Sequence, residues 1–303
     1  MVDGWIILDK PLELGSTQGV AAVKRNLRQA GFGKCKVGHG GTLDPLATGV
    51  LPIAVGEATK LCGRMLDASK VYAFTVRFGE ETDTLDLEGK VVATSDLRPS
   101  WQEIEAVLPR FTGPISQVPP AYSALMVDGE RAYDLARKGE TFELKSRDVV
   151  ICSLVAETVS EVTRVEELTL TAHVSKGTYI RSLARDIARA LGTVGHVTML
   201  RRLKAGPFDI SQAISLDKLN DVGKGAPLEH ILLPLEAGLV DIPALSLDPE
   251  QARAVRQGRV LTGLPFEDGL YWAKTGSVPV ALVELSGGSL KVSRGFNLKD
   301  VAE

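Results

Sequence analysis

The sequence predicts an α+β fold: a mixed, largely antiparallel sheet with flanking helices, followed by a small β-rich C-terminal domain. Three observations predict it. Strand-like and helix-like segments follow one another without the regular strand–helix–strand rhythm of a parallel sheet. VYAFTVRFG (71–79) alternates, with Tyr72, Phe74, Val76 and Phe78 on one face, the period of a half-buried strand. Beyond about residue 242 the chain turns into short, glycine-punctuated strand signals.

In order, WIILDKP (5–11) reads as a buried strand ending at Pro11. Ser16 and Thr17 are helix-cap residue types for a segment reaching about Gln29, with Ala21, Val23 and Leu27 among its apolar positions. The glycine-rich stretch GHGGTLDPLATGVL (38–51) follows, then the apolar run VLPIAV and the helix-like EATKLCGRMLDA. After the alternating strand, EETDTLDLEGKVV reads as an acidic turn leading into a strand, and SWQEIEAVLPRF (100–111) as a helix. QVPPAYSALMVDGERAYDLARKG combines a strand, an Asp-Gly turn signal and a helix. DVVICSLVAE and ELTLTAHVS are strand-like, KGTYIRSLARDIARALG (176–192) is an amphipathic helix closed by Gly192, and GHVTMLRRLKAG is a further strand. In the last part DPEQARAVRQG is helix-like, and YWAKTG, VPVALVEL and SLKVSRGF are strands. The expected domains are 1–240 and 241–303, the second near the minimum size for independent folding.

With 44% hydrophobic and 24% charged residues in 303, the composition is that of a globular protein with material for a real core. A net charge of −3 argues neither for nor against a nucleic-acid partner, so the distribution of charge has to decide. Cys35, Cys62 and Cys152 are an odd number with no CxxC pair, which fits free thiols in a reducing compartment. MVDGWIILDKP lacks the basic start of a signal peptide, and no apolar run approaches the roughly 20 residues that span a bilayer. A cytoplasmic protein with no membrane association is the expectation.

Several chemistries are excluded by spacing. Gly258 to Gly263 has the span of a phosphate loop but is followed by Leu264, and Leu43 stands where a GxGxxG fingerprint needs its third glycine. GxSxG and HExxH are absent, and His39, His173, His196 and His230 are scattered. Cys35 and His39, four apart, are too few for a metal site. A cofactor-free reaction or a binding function remains.

The stretch 38–51 then stands out. Gly38, Gly40, Gly41 and Gly49 make it a poor helix and a poor strand, yet it presents one carboxylate, Asp44. Asp-Pro is a common turn starter, and Pro45 also confines Asp44 to extended backbone angles. The glycines permit close backbone approach by a ligand. Charge is uneven around it. Arg181, Arg185, Arg189, Arg201, Arg202 and Lys204 face a single acid, Asp186, and a second basic run holds Lys24, Arg25, Arg28, Lys34 and Lys36. Acids collect around 80–88 and 157–167. Each basic run is read either as a solvated face or, since the two flank the suspected site, as a surface for phosphates.

GHGGTLDPLATGVLPIAVGEATK, SKVYAFTVRFG, QVPPAYSALMVDGERAYDLARKG, and SKGTYIRSLARDIARALG with GHVTMLRRLKAG together closely resemble the bacterial TruB family, tRNA pseudouridine synthases that modify uridine 55 in the T-loop. The resemblance spans about residues 5–210 in order. The C-terminal domain more weakly resembles the PUA-type RNA-binding domain of such enzymes. The resemblance implies a pseudouridine synthase-type fold, a tRNA T-arm stem-loop as partner, no cofactor, and a monomer whose binding face is occupied by RNA.

By resemblance, Asp44 is the catalytic carboxylate, Arg181 its ion-pair partner, and Tyr72 the residue that stacks on the target base. Tyr179 and Leu200 line the uracil pocket, and His39 enters the space that a flipped nucleotide vacates. The residues allow plainer roles: a helix-surface charge for Arg181, core packing for Tyr72, Tyr179 and Leu200, and a loop cap for His39. Two departures are visible. The family's DKPxGxTS reads DKPLELGST here, and Met126 stands where relatives often carry lysine. The alternatives are a non-catalytic tRNA-binding or RNA-chaperone protein on the same scaffold, a synthase acting on ribosomal RNA or with a guide RNA, and unrelated small-molecule catalysis.

Overall fold

The computed structural model describes residues 2–157 and 164–298. Residues 158–163 of the acidic run expected at 157–167, Glu161 among them, lie outside the described residues. The chain forms two compact units, one of residues 1–43, 50–66 and 206–303, the other of 44–49 and 67–205.

The second unit carries the antiparallel sheet. Strand Lys70–Phe78 pairs antiparallel with Glu167–Val174 on one side and with Gly195–Ala205 on the other. Arg147–Ala156 and then Gly113–Gln117 extend the sheet antiparallel beyond Glu167–Val174. One parallel pairing interrupts the pattern: Ala47, Thr48 and Gly49, which open strand Ala47–Val55, lie beside Leu200, Arg201 and Arg202. The alternation expected in 71–79 holds. Phe74, Val76 and Phe78 are buried with Leu168 and Leu170 under Leu183 and Ile187 of helix Ile180–Ala190. That helix starts four residues later than its motif, because Ser175–Tyr179 form a turn in which Thr178 Oγ1 donates to Ser175 O at 3.0 Å. The helix over 100–111 is α only for Trp101–Val107. It tightens into a 3₁₀ turn at Leu108–Phe111, where Pro109 has no N–H to continue the α ladder. The Asp-Gly signal is a two-residue turn, with Asp128 at φ 50° and Gly129 at φ 92° between the two-residue strands Met126–Val127 and Glu130–Arg131.

In the first unit, strand Gly4–Lys10 is buried as expected, with Trp5 donating to Leu235 O at 3.1 Å. Helix Ser16–Gln29 departs from expectation at its start. Gly15 is the N-cap, and Ser16 instead exchanges two bonds with the backbone of Leu43: the Leu43 N–H donates to Oγ at 2.8 Å and Oγ donates to Leu43 O at 2.9 Å. Ala22, Val23 and Leu27 face the core, whereas Ala21 is exposed. A separate four-stranded sheet closes the chain: Ala244–Ser246, Gly269–Thr275, Val278–Ser286 and Ser289–Gly295, with helix Pro249–Arg256. Its own core includes Leu245, Ala252, Val255, Val283 and Leu290. Residue 241 therefore marks a change of sheet but not of compact unit. Lys60 Nζ donates to Gly295 O at 2.8 Å, the Asn297 N–H donates to Glu57 Oε2 at 2.6 Å, and Arg64 pairs with Asp241. No described helix is long and apolar enough to cross a membrane.

Candidate active site

Asp44 opens a turn. The Ala47 N–H donates to Asp44 O at 3.0 Å, with Pro45 at the second position, which its fixed φ suits. The chain then enters the parallel pairing with Leu200–Arg202, and here Gly49 is required. Its φ is +101°, and a Cβ would stand 2.2 Å from Arg202 O. At Gly40 a Cβ would stand 2.6 Å from Met65 Cβ. The close approach that these two glycines allow is therefore taken by the chain itself, by Arg202 and Met65, and not left for a ligand.

Arg181 sits in the first turn of helix Ile180–Ala190, and its side chain is 9% exposed. Four oxygens surround its guanidinium. Nη2 lies 2.9 Å from Asp44 Oδ2 and donates to Tyr122 O at 3.1 Å, while Nη1 donates to Thr84 O at 2.8 Å and lies 3.4 Å from Asp86 Oδ2. Such planar, multiply bonded recognition suits arginine and not lysine. Asp86 is 12% exposed in its side chain, and its other oxygen accepts from Thr84 Oγ1 at 2.6 Å and from the Glu88 N–H at 3.0 Å. Leu85, immediately before it, has φ 64°, a left-handed backbone that the surrounding structure must hold in place for a leucine.

Asp44, Asp86 and Arg181 line one cleft with Leu46, Ala47, Leu87, Val197, Thr198, Met199 and Leu200. The cleft is charged on one side and mostly apolar on the other. Its volume of about 20 Å³ is room for a water molecule, not for a base. Asp44 itself is 52% exposed. The structure buries the guanidinium and leaves the carboxylate facing outward.

The remaining expected residues are placed less uniformly. Leu200 is half-buried on the cleft wall, opposite Phe74. Tyr72 lies two residues along its strand, opposite Arg202, and packs against the same core without lining the cleft. Tyr179 caps the helix that carries Arg181, and its ring lies under the Arg147 guanidinium at 5.2 Å. His39 ends the short strand Val37–His39, opposite Ile53, in the other unit.

The chain matches known families and proteins along its length. Residues 26–180 match the model of the TruB family pseudouridylate synthase N-terminal domain, and residues 181–240 that of the tRNA pseudouridylate synthase B C-terminal domain. The chain is 82% identical to the tRNA pseudouridine synthase B of Novosphingobium aromaticivorans over the whole of both chains. The chain belongs to the TruB family. A second TruB-family relative, the tRNA pseudouridine synthase B of Zymomonas mobilis, is 57% identical over 97% of this chain and 96% of its own. Among solved structures, a chain of an H/ACA RNP bound to a substrate RNA containing 2′-deoxyuridine matches with a TM-score of 0.74. That match is 25% identical and covers 98% of this chain and 86% of the other. A chain of a Cbf5–Nop10–Gar1 complex matches with a TM-score of 0.72 at 26% identity, covering 97% and 84%.

Two sequence readings change in the light of this TruB-family structure. The basic run 181–204 is partly turned inward or paired with acids. Arg181 is held as above, Arg185 pairs with Asp186 at 2.8 Å, Arg189 pairs with Glu81 at 2.7 Å, and Arg202 is buried. Of that run Arg189 and Lys204 are exposed, whereas Lys24, Arg25, Arg28, Lys34 and Lys36 are all exposed. Asp86 was also missed. It lies in an acid-rich run read as a turn, and nothing in the sequence separates it from Glu80, Asp83 or Glu88.

Proposed function

We propose that this TruB-family chain isomerises uridine 55 in the T-loop of tRNA to pseudouridine, with Asp44 as the catalytic carboxylate. Pseudouridine formation in tRNA is the activity named for its 82%-identical relative. The observation that carries the assignment to Asp44 is its ion pair with a buried Arg181 at the mouth of the cleft.

The reaction breaks the N1–C1′ bond of uridine, turns the detached base, and joins C5 to C1′. The proton on C5 leaves and N1 regains one, so no group and no electron is gained or lost. Asp44 serves either by attacking C1′ or by taking the C2′ proton, and both routes need an ionised carboxylate. The neighbouring guanidinium orients the carboxylate, and the open face of Asp44 lets a sugar approach. Leu46, Leu87, Met199 and Leu200 supply an apolar wall that excludes water while the base is detached. The cleft is too small for a base as it stands, so base entry requires its walls to separate.

The target uridine must leave its stack, at a cost of a few kcal/mol. Tyr72 stacks on the extruded base and serves as acceptor for the C5 proton, Tyr179 and Leu200 bound it, and His39 fills the space it leaves. The exposed basic run from Lys24 to Lys36 meets phosphates of the T-arm. The sheet domain at 241–303 acts as a PUA-like RNA-binding module. The chain works as a monomer in the cytoplasm. A protein that only binds RNA has no use for a carboxylate directed at a phosphate-rich ligand. Mapping of modified positions in tRNA incubated with the purified protein tests the assignment. Pseudouridine at position 55 is expected, and modification elsewhere or none overturns it.

A further inference from the structure

Helix Ile180–Ala190 begins without a side-chain cap of its own, since its N-cap residue is Tyr179. A residue far away in sequence holds that N-cap residue by its backbone instead. Gln117, the last residue of strand Gly113–Gln117, is fully buried, and its amide grips the Tyr179 backbone from both sides. Oε1 accepts from the Tyr179 N–H at 2.8 Å, and Nε2 donates to Tyr179 O at 3.1 Å. Only this orientation of the amide satisfies both groups. The next residue continues the seam: Val118 O accepts from Ser182 Oγ at 2.9 Å and from Arg185 Nη2 at 3.0 Å. Arg147, directly opposite Gln117 in the sheet, covers the Tyr179 ring. The strand end thus seats the first turn of the helix, and Arg181 lies in that turn.

We propose that Gln117 is a positioning residue for the Asp44–Arg181 pair, acting through the Tyr179 backbone. The inference rests on the assignment of Asp44 as the catalytic carboxylate. A guanidinium that meets four oxygens from three segments tolerates little displacement of its Cα, and side-chain repacking cannot restore all four contacts at once. Loosening the Tyr179 clamp shifts the base of the Arg181 side chain, lengthens its contact with Asp44, and lets the carboxylate leave its productive orientation.

The test uses the full chain with tRNA as substrate and follows kcat and KM beside thermal unfolding. Gln117→Met removes both bonds at nearly constant length. Its kcat is expected to fall by at least about tenfold with KM changed less than about threefold, within the roughly hundredfold that a 1 Å misplacement costs. Leu219→Ala, a buried truncation in the other unit, lowers stability and leaves kcat of the folded protein unchanged. Should Gln117→Met not fold, Gln117→Asn serves, because its amide is one methylene too short to make both bonds. Wild-type kcat in the variant, or a kcat that follows the loss of stability as in Leu219→Ala, overturns the proposal. Asp44→Asn runs in parallel: turnover in that variant means that the site assignment has failed, not the role of Gln117.

Discussion

Arg181 and Asp44 meet at 2.9 Å with very unequal exposure, the guanidinium 9% and the carboxylate 52%. The pair is asymmetric by construction. Backbone carbonyls of Thr84 and Tyr122 fix the cation from behind, and Asp86 adds a second negative charge. The anion is presented outward. Arg181→Lys keeps a charge but cannot reach all four oxygens. Steady-state kinetics should show kcat lowered by about 10²-fold, the scale for losing one preorganised electrostatic contact.

Asp86→Asn keeps the shape of the group and drops its charge, leaving a buried guanidinium less compensated. Urea unfolding should show a loss of about 1–3 kcal/mol, the range for leaving a buried polar group short of a partner. An unchanged midpoint would mean that Asp86 does not support Arg181.

Gly49→Ala introduces a Cβ into the Arg202 carbonyl at a positive φ. Either the parallel pairing beside Asp44 separates or the backbone strains, at a cost on the order of 3 kcal/mol. Thermal unfolding checks this, with a fall of many degrees expected.

These cases show what was legible in the sequence. The sheet, its main helix and the alternation at Tyr72 to Phe78 follow from periodicity, because burial of one face writes itself into residue spacing. The Asp44–Arg181 pair came from family resemblance, since the two residues are 137 positions apart and no local pattern links them. Asp86 and the pairing of Arg185 with Asp186 and of Arg189 with Glu81 were not legible. A charged residue on an amphipathic helix looks the same whether its partner is water or a carboxylate from a distant loop. Gln117 was hidden for the same reason: its bonds go to the backbone of Tyr179, and a backbone has no sequence signature.

Lys70 offers a pH signature. It is 8% exposed, and burial, then the neighbouring charge of Arg202, push its ammonium down to about 8. The unfolded chain holds its proton up to about 10.4. Between those values the unfolded state binds more protons, so the charged form costs stability in full below pH 8, and that cost is lifted as pH rises. Relative to Lys70→Met, the wild-type chain should gain up to about 3 kcal/mol between pH 7 and pH 10 in urea unfolding. A constant difference across that range contradicts a depressed Lys70.

His39→Ala separates its two roles. If His39 fills the space left by the extruded nucleotide, activity on folded tRNA should fall about tenfold or more, because the cost of unstacking is then uncompensated. Thermal unfolding should change little. A melting temperature that falls in step with activity makes His39 a structural residue.

The central claim is that one carboxylate, held by Arg181 at the cleft, performs the rearrangement. Tritium release from C5-labelled uridine in tRNA, with Asp44→Asn against wild type and RNA binding measured alongside, tests it most directly. No release above the enzyme-free background, with binding retained, is the predicted result. Release by Asp44→Asn at a rate near that of the wild type contradicts the account.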